Sequence, residues 1–245
     1  MPSPISRQAA ANFRRSALGA TFVFLGHIER AETQVPEAGG RRADVVRVDR
    51  ILKAPDLLSE FAGQQVMVVA DAEAGDAGRA SGVFFTSPIA FGEMVALRGI
   101  GGVAEAADPD ALAELIRESE AEVADETLRA QLRGADVVVH GRILEVKAAP
   151  TESEPLSEHS PEWRVARVQV ETVLKGEAKG VILVRFPGST DVRWYATPKL
   201  REGEEAILLL HRDGLRFGDA ELAVLYPGDV APASSEEIER RRRHL

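Results

Sequence analysis

Apolar and polar residues alternate along two stretches of the chain, which is the pattern of a strand with one buried face. The two stretches are residues 46–52 and 168–174, and each is followed by a lysine and a small residue. Short apolar runs at 66–69 and 181–184 predict further strands. Segments rich in Gly, Pro, Ser and acidic residues separate these strands and are typical of loops. The pattern therefore predicts a mainly β protein with short strands.

The predicted strands recur in the same order in the second half of the chain, so the sequence contains an internal repeat. The aligned pairs are 20–28 with 135–143, 46–54 with 168–176, 66–69 with 181–184, 85–88 with 195–198, and 92–97 with 203–208. The offset is 115 residues in the first and third pairs and 122 in the second. It changes only inside loop-like segments, where a duplicated fold tolerates changes of length.

Helical patterns flank each set of predicted strands. Asp108 is a suitable N-cap for a helix that follows the first set. Ser119 has the spacing of a capping box with the glutamate three residues later, which predicts a second helix ending at Gly134. A last helix is expected over residues 235–243. Each unit is thus expected to contain a helix, about five short strands and a closing helix.

Five short strands in a unit of this length suit a small barrel better than a sandwich of seven or more strands. The expected fold is mainly β with flanking helices, as two tandem five-stranded OB-like barrels. The expected segments are an N-terminal helix (1–19), barrel 1 (20–105), an acidic helical linker (106–134), barrel 2 (135–230) and a C-terminal helix with a basic end (231–245).

The second unit also carries a family resemblance. Its segments are Ala-Asp-Val-Val-Val-His-Gly-Arg-Ile (135–143), Val-Leu-Lys-Gly (173–176), an apolar strand (181–184) and Glu-Gly-Glu-Glu-Ala-Ile-Leu-Leu-Leu (202–210). This order resembles the netrin-like OB barrel, the fold of the tissue inhibitors of metalloproteinases and of many bacterial proteins. The first unit matches more loosely, with Lys53-Ala54 in place of Lys-Gly. The resemblance implies a barrel fold and no active site, since a fold alone does not determine which ligand is bound.

Composition and charge narrow the function classes. The 245 residues include no cysteine, which excludes disulfide scaffolds, cysteine-zinc sites and the N-terminal cysteine that animal metalloproteinase inhibitors place on zinc. The net charge of -9 disfavours binding to phosphate backbones. No apolar run approaches the roughly 20 residues that cross a bilayer. Without cysteine, a signal-peptide pattern or such a run, we expect a cytoplasmic protein.

No motif in the sequence carries recognisable chemistry. Serine-nucleophile and nucleotide-binding patterns are missing. The five histidines have no metal-binding spacing. His140 and His211 lie on different predicted strands, with no carboxylate expected in register. We therefore expect no catalytic residue, no cofactor-binding residue and no metal ligand.

One segment of the second unit combines positive charge with aromatic side chains. We call it the basic-aromatic segment, and its candidate partner-binding residues are Arg185, Phe186, Arg193, Trp194, Tyr195, Lys199 and Arg201. Such a face binds single-stranded nucleic acid in OB barrels. It equally suits an acidic protein surface, because Trp, Tyr and Arg are the common anchors of protein interfaces.

The sequence thus predicts a non-catalytic scaffold or adaptor that binds another protein or a second copy of itself. Single-stranded nucleic-acid binding through the second unit is the first alternative, although the net charge disfavours it. An enzyme of unrecognised type is the other alternative. No membrane span is expected.

Overall fold

The computed structural model describes residues 7–35, 41–69, 81–91, 94–100, 108–149, 159–214 and 219–245. Three helices are present in these ranges: α1 (Arg7–Gly19), α2 (Pro109–Gly134) and α3 (Ser235–His244). The chain divides into two compact units within α2, unit 1 up to Val123 and unit 2 from Ala124. The boundary expected at 105/106 lies outside the described residues.

Unit 1 contains a closed five-stranded barrel, which confirms the barrel expected there. Its strands are β1 (Phe22–Val35), β2 (Arg41–Lys53), β3 (Gln65–Val69), β4 (Ser81–Phe91) and β5 (Val95–Gly99). They are ordered β1-β2-β3-β5-β4, and β4 pairs back onto β1 to close the barrel. Phe24 and Phe84 stack inside it, with ring centroids 5.2 Å apart. The inward-facing residues of the alternating strands therefore form a packed core.

Unit 2 contains a curled half-barrel, so the expectation of a second closed five-stranded barrel is wrong. Its strands are β6 (Val137–Ala148), β7 (Trp163–Lys175), β8 (Val181–Pro187), β9 (Glu205–Leu210), β10 (Leu222–Ala223) and β11 (Val230–Pro232). They form one open sheet in the order β10-β8-β7-β6-β9-β11.

The half-barrel stays open because no single described strand of unit 2 makes both of the pairings that β5 makes in unit 1. There, β5 pairs in parallel with β3 and antiparallel with β4. In unit 2 these pairings are divided between β10, which is parallel to β8, and β11, which is antiparallel to β9. An isolated bridge between His211 and Ala223 joins the residue after β9 to β10. Such short strands do not supply a closing ladder of hydrogen bonds.

The internal repeat is confirmed by the pairing of the first two strands in each unit. Gly26 lies opposite Val48 in unit 1, and Gly141 lies opposite Val170 in unit 2, at the predicted offsets of 115 and 122. Three register shifts also fall at equivalent positions along β1 and β6. The two hairpins therefore share their bulges as well as their residue pattern.

The later blocks of the alignment need correction. Val66 pairs with Val46, and its counterpart Ile182 pairs with Val168, so the third block has an offset of 116 and was one residue out of register. In the fourth block, β9 pairs with β6 as β4 pairs with β1, so residues 195–198 do not correspond to a strand of unit 1. A one-residue slip exchanges the two faces of a strand, so these corrections change which residues are buried.

Helix α2 is continuous, so the expected break at Ser119 is wrong. The Ser119 hydroxyl donates to the Leu115 carbonyl, 2.6 Å away, inside the helix. The N-cap expectation at Asp108 is confirmed, since its carboxylate accepts from the backbone NH of Asp110 at 3.0 Å. In unit 1 Leu112 packs beside the outer face of the barrel. Apolar packing thus overrides the local capping signal.

The outer face of each sheet is covered by helices of the same unit. In unit 2 Leu132 and Ile238 pack on Val138 and Leu209. The helix before each first strand is capped by a lysine from the second strand. Lys53 donates to the Ala17 carbonyl at 3.1 Å, and the equivalent Lys175 donates to the Leu132 carbonyl at 2.6 Å.

Among the described helices, none combines the length and the apolar character needed to cross a bilayer.

Candidate partner-binding surface

The structure divides the basic-aromatic segment into a buried pair and a surface group. Arg185 and Phe186 lie in β8, and both are fully buried. Phe186 belongs to the core of the half-barrel. The Arg185 guanidinium lies 4.7 Å from the centre of the Trp163 ring and pairs with Asp213. These two candidates therefore support the fold, and neither lines an exposed binding surface.

The surface group lies between β8 and β9. We call residues 188–204 the β8–β9 loop; its backbone forms turns without a helix or strand. The remaining candidates on this loop are Arg193, Trp194, Tyr195, Lys199 and Arg201. The structure therefore places five of the seven candidates on one loop, where Arg193 and Lys199 each contact Trp194.

Asp191 fixes the turn at the tip of this loop. Its Oδ1 accepts from the backbone NH of Arg193 at 2.9 Å and lies 3.1 Å from Nδ1 of His159. Its backbone carbonyl accepts from the NH groups of Trp194 and Tyr195, each at 2.8 Å. Backbone and side-chain bonds from one residue thus hold the turn in a single conformation.

Trp194 anchors the loop to the half-barrel. Its Nε1 donates to the His159 carbonyl at 2.9 Å, and its ring meets the Trp163 ring edge to face, with centroids 5.9 Å apart. Its own carbonyl accepts from Nζ of Lys199 at 2.8 Å. Partial burial lowers the pKa of Lys199 from its ordinary value. Trp194 therefore contributes to loop stability more than to exposed surface.

Three side chains project from the fixed turn, and we call them the apex: Val192, Arg193 and Tyr195. Val192 is 75% exposed and Tyr195 is 70% exposed. The Arg193 guanidinium lies 5.4 Å from the centre of the Trp194 ring. Val192 was not predicted as a binding residue; the available signal was an apolar residue between two charged residues of a turn. Tyr195 was paired with Phe85 in the predicted repeat, but Phe85 is buried.

Asp191→Asn tests how the turn is held. Hydrogen bonding from the Arg193 NH, followed by His159, holds the pKa of Asp191 below its ordinary value of 3.8. Because the folded-state pKa is lowered, the stabilisation is complete above pH 3.8 and is lost as the pH falls through the lower folded-state pKa. We expect the near-UV circular dichroism of the tryptophans to change in this acid range in the wild type. The amide introduced by Asp191→Asn does not ionise there, so an identical acid transition in this variant would contradict the role of the carboxylate.

The expectation that no carboxylate lies in register with His140 is wrong. Glu171 in β7 and Glu205 in β9 each bring a carboxylate close to its imidazole. His211 is separate from this group and lies 3.1 Å from a carboxylate oxygen of the buried Asp229. His140 and His211 therefore do not share a site.

The basic end of α3 is engaged with neighbouring carboxylates. Arg240 pairs with Asp125 at 2.8 Å, and this bond lowers the pKa of Asp125. Arg241 pairs with Glu237, one turn earlier in α3. These contacts favour helix stabilisation for the basic end.

No protein-family model matches the chain, and no curated protein matches it. The class of protein is therefore defined by the fold and by the apex alone. The chain is a mainly β protein of two units, one with a closed five-stranded barrel and one with a half-barrel that presents the apex on a fixed loop.

Proposed function

We propose that this chain is a non-catalytic scaffold or adaptor that binds an acidic, partly apolar surface of another protein through the apex. The observation that carries the proposal is the combination of exposed Val192 and Tyr195 with a turn fixed by Asp191. Exposed apolar side chains on a turn that is already ordered are typical of interface anchors.

Preorganisation is the energetic argument for this proposal. Association costs side-chain and loop ordering at the interface, in addition to translational and rotational freedom. The hydrogen bonds of Asp191 and the packing of Trp194 fix the loop before a partner arrives. Burial of the Tyr195 ring against a partner then adds to affinity without a large ordering cost.

Charge defines the chemistry of the partner. Arg193 is exposed at the apex, and Arg201 is exposed on the same loop, with its guanidinium 4.0 Å from a Glu204 carboxylate. The Asp191 carboxylate is occupied by hydrogen bonds within the turn. An acidic patch around an apolar spot is therefore the complementary surface, and its attraction is strongest at low ionic strength.

We also propose that both units are variants of the netrin-like OB barrel. The closed five-stranded barrel of unit 1 supports this, as does the equivalent first hairpin of unit 2. The location proposed for the protein is the cytoplasm.

Substitutions at the apex test the binding proposal. We expect Tyr195→Ala to weaken partner binding by about 10- to 30-fold, since an aromatic hot spot contributes about 1.4–2 kcal/mol. Arg193→Glu should also weaken partner binding, and its effect should be larger at low salt than at high salt. Binding is measured by retention of partner proteins from source-cell extract on the immobilised chain, and then with the purified partner by calorimetry.

The controls replace exposed residues of unit 1. Leu57→Ala removes another exposed apolar side chain, and Arg117→Glu makes the same charge change as Arg193→Glu. Both should bind the partner as the wild type does. Equal loss in the controls and the apex variants, or no loss in Tyr195→Ala, would contradict the proposal.

Two further measurements separate the alternatives. Sedimentation equilibrium of the purified chain reveals whether the partner is a second copy. Fluorescence anisotropy with a single-stranded oligonucleotide at low salt tests nucleic-acid binding, which needs several free aromatic faces. Tight, salt-dependent oligonucleotide binding that is lost in Tyr195→Ala would replace the protein-binding proposal.

A further inference from the structure

A histidine and two glutamates converge on one face of the half-barrel. His140 lies in β6, Glu171 in β7 and Glu205 in β9, so three adjacent strands contribute one side chain each. One nitrogen or oxygen from each residue lies within 4.8 Å of the other two. Successive side chains of a strand point to opposite faces of the sheet, so Glu205 lies on the same helix-covered outer face as Ile207. The group lies just beyond that apolar cluster.

One ring nitrogen of His140 lacks the partner that its burial requires. The His140 side chain is only 14% exposed, and its Nε2 is buried without a hydrogen bond from any described residue. The nearest described carboxylate oxygen is Oε2 of Glu171, 3.7 Å away. A buried polar nitrogen without a partner costs free energy, so such an atom in a folded protein calls for a ligand.

A β-bulge directs Glu171 into this group. In the β6–β7 pairing, His140 lies opposite Thr172 and Gly141 lies opposite Val170, which leaves Glu171 as the extra residue. Bulges commonly redirect one side chain next to a functional site. The equivalent bulge residue of unit 1, Asp49, is also acidic, but the residues of unit 1 equivalent to His140 and Glu205 are different.

The internal repeat shows which residues unit 1 has at the positions equivalent to His140 and Glu205. The residue of unit 1 equivalent to His140 is Leu25, which packs against the apolar cluster under α1 and α2. The position equivalent to Glu205 is Ser81. Unit 2 therefore has three possible metal ligands where unit 1 has one carboxylate, a leucine and a serine.

We propose that His140, Glu171 and Glu205 bind a divalent first-row transition-metal ion. Imidazole nitrogen and carboxylate oxygen are ligands of Zn²⁺ and its neighbours, and three protein ligands leave one tetrahedral position for water. Ligand bonds of about 2.0–2.2 Å place two tetrahedral ligands about 3.4 Å apart. The separation between His140 and Glu171 is 3.7 Å, and all three ligand atoms lie within 4.8 Å of one another, so side-chain rotation has to bring Glu171 and Glu205 closer to the ion.

Arg142 supports the third ligand. Its guanidinium pairs with Oε1 of Glu205, and a carboxylate has a second oxygen that can bind an ion. Glu171 and Glu205 are both partly exposed, which gives the ion access from solvent. Outer partners of this type orient a ligand and tune its affinity.

A bound ion would join β6, β7 and β9 in a sheet that lacks barrel closure. Ligands that bind only the folded state raise its apparent stability. The proposed site therefore acts as a cross-strand clip in unit 2. It is independent of the apex and of the function proposed above.

Calorimetric titration of the full chain with ZnCl₂ tests the site. We expect one equivalent of Zn²⁺ to bind and to raise the melting temperature. His140→Leu restores the residue found at the equivalent position of unit 1, so it should fold while losing Zn²⁺ affinity by more than about 100-fold, since losing an outer partner alone costs about 10–100-fold. Circular dichroism without metal checks that the variant is folded.

Glu171→Gln keeps the shape of the side chain and should weaken binding by at least about 10-fold. His159→Gln is the matched control, because His159 is an exposed histidine beside a carboxylate in the same unit. It should bind Zn²⁺ as the wild type does. Absence of binding at millimolar Zn²⁺, or wild-type affinity in folded His140→Leu, would overturn the proposal.

Discussion

Asp213→Ala is expected to lower the free energy of unfolding of unit 2 by about 3–5 kcal/mol. Arg185 is fully buried, and Asp213 is the residue with which its guanidinium forms an ion pair. Removal of the carboxylate takes away a negative charge that pairs with the buried guanidinium, which also stacks on Trp163. Urea unfolding followed by tryptophan fluorescence measures the effect, because both tryptophans of the chain lie in unit 2.

Two variants distinguish a buried charge from general damage. Glu204→Ala removes an exposed partner of Arg201 and should cost no more than about 1 kcal/mol. Arg185→Met combined with Asp213→Ala replaces the pair by an apolar side chain and should recover most of the loss. A loss below about 1 kcal/mol in Asp213→Ala would contradict the role of the pair.

The burial of Arg185 explains why the basic-aromatic segment was only partly predictable. The sequence shows a cluster of arginines and aromatic residues, and that cluster favours an exposed face. The burial depends on Asp213, which follows β9, and on Trp163, which begins β7. Both contacts are distant in sequence, so no local pattern separates Arg185 from the exposed Arg193.

The first hairpin of each unit was predictable because its pattern is local. Alternation over 46–52 and 168–174 determines which residues face the core, and a slip of one residue would expose all of them. The glycines at 26 and 141 fix where the two strands approach closely. Several local features agree, so the alignment of these strands was correct in both units.

Closure of the second barrel was not predictable for a physical reason. The alignment matched Gly-Glu followed by apolar residues in both units, and it therefore assigned β9 to the place of β5. Whether a strand closes a barrel depends on pairing with distant strands, and β10 and β11 are too short to show a sequence period. The β-bridge between His211 and Ala223 involves one residue pair, so it produces no recognisable pattern in the sequence.

The candidate metal ligands illustrate the same limit. Glu205 lies opposite Arg142 and thus comes near His140 only through the β6–β9 pairing, which the alignment had misassigned. Glu171 reaches the group through a bulge, and a bulge has no period of its own. The available signal was the pair of acidic residues, Asp49 and Glu171, at one repeat position.

Gly141→Ala is expected to lower the free energy of unfolding by about 2–3 kcal/mol, and Gly26→Ala should do the same in unit 1. A Cβ atom at Gly141 would lie 2.6 Å from the Gln169 carbonyl oxygen, and one at Gly26 would lie 2.5 Å from the Arg47 carbonyl oxygen. Backbone atoms cannot rotate away, so the hairpin must open at its bulge. Urea unfolding followed by far-UV circular dichroism measures both variants.

Gly134→Ala is the matched control, because the added Cβ meets no described atom within 4 Å apart from its chain neighbours and the backbone of its own helix, and the residue ends α2. Alanine is preferred to glycine in helices by up to about 1 kcal/mol, so this variant should be as stable as the wild type or more stable. Equal losses at Gly26 and Gly141 would show that the repeat preserves a close strand contact as well as a sequence pattern. A stable Gly141→Ala protein would mean that the β6–β7 strands lie further apart than the bulge requires, and the direction of Glu171 toward His140 would then lose its structural basis.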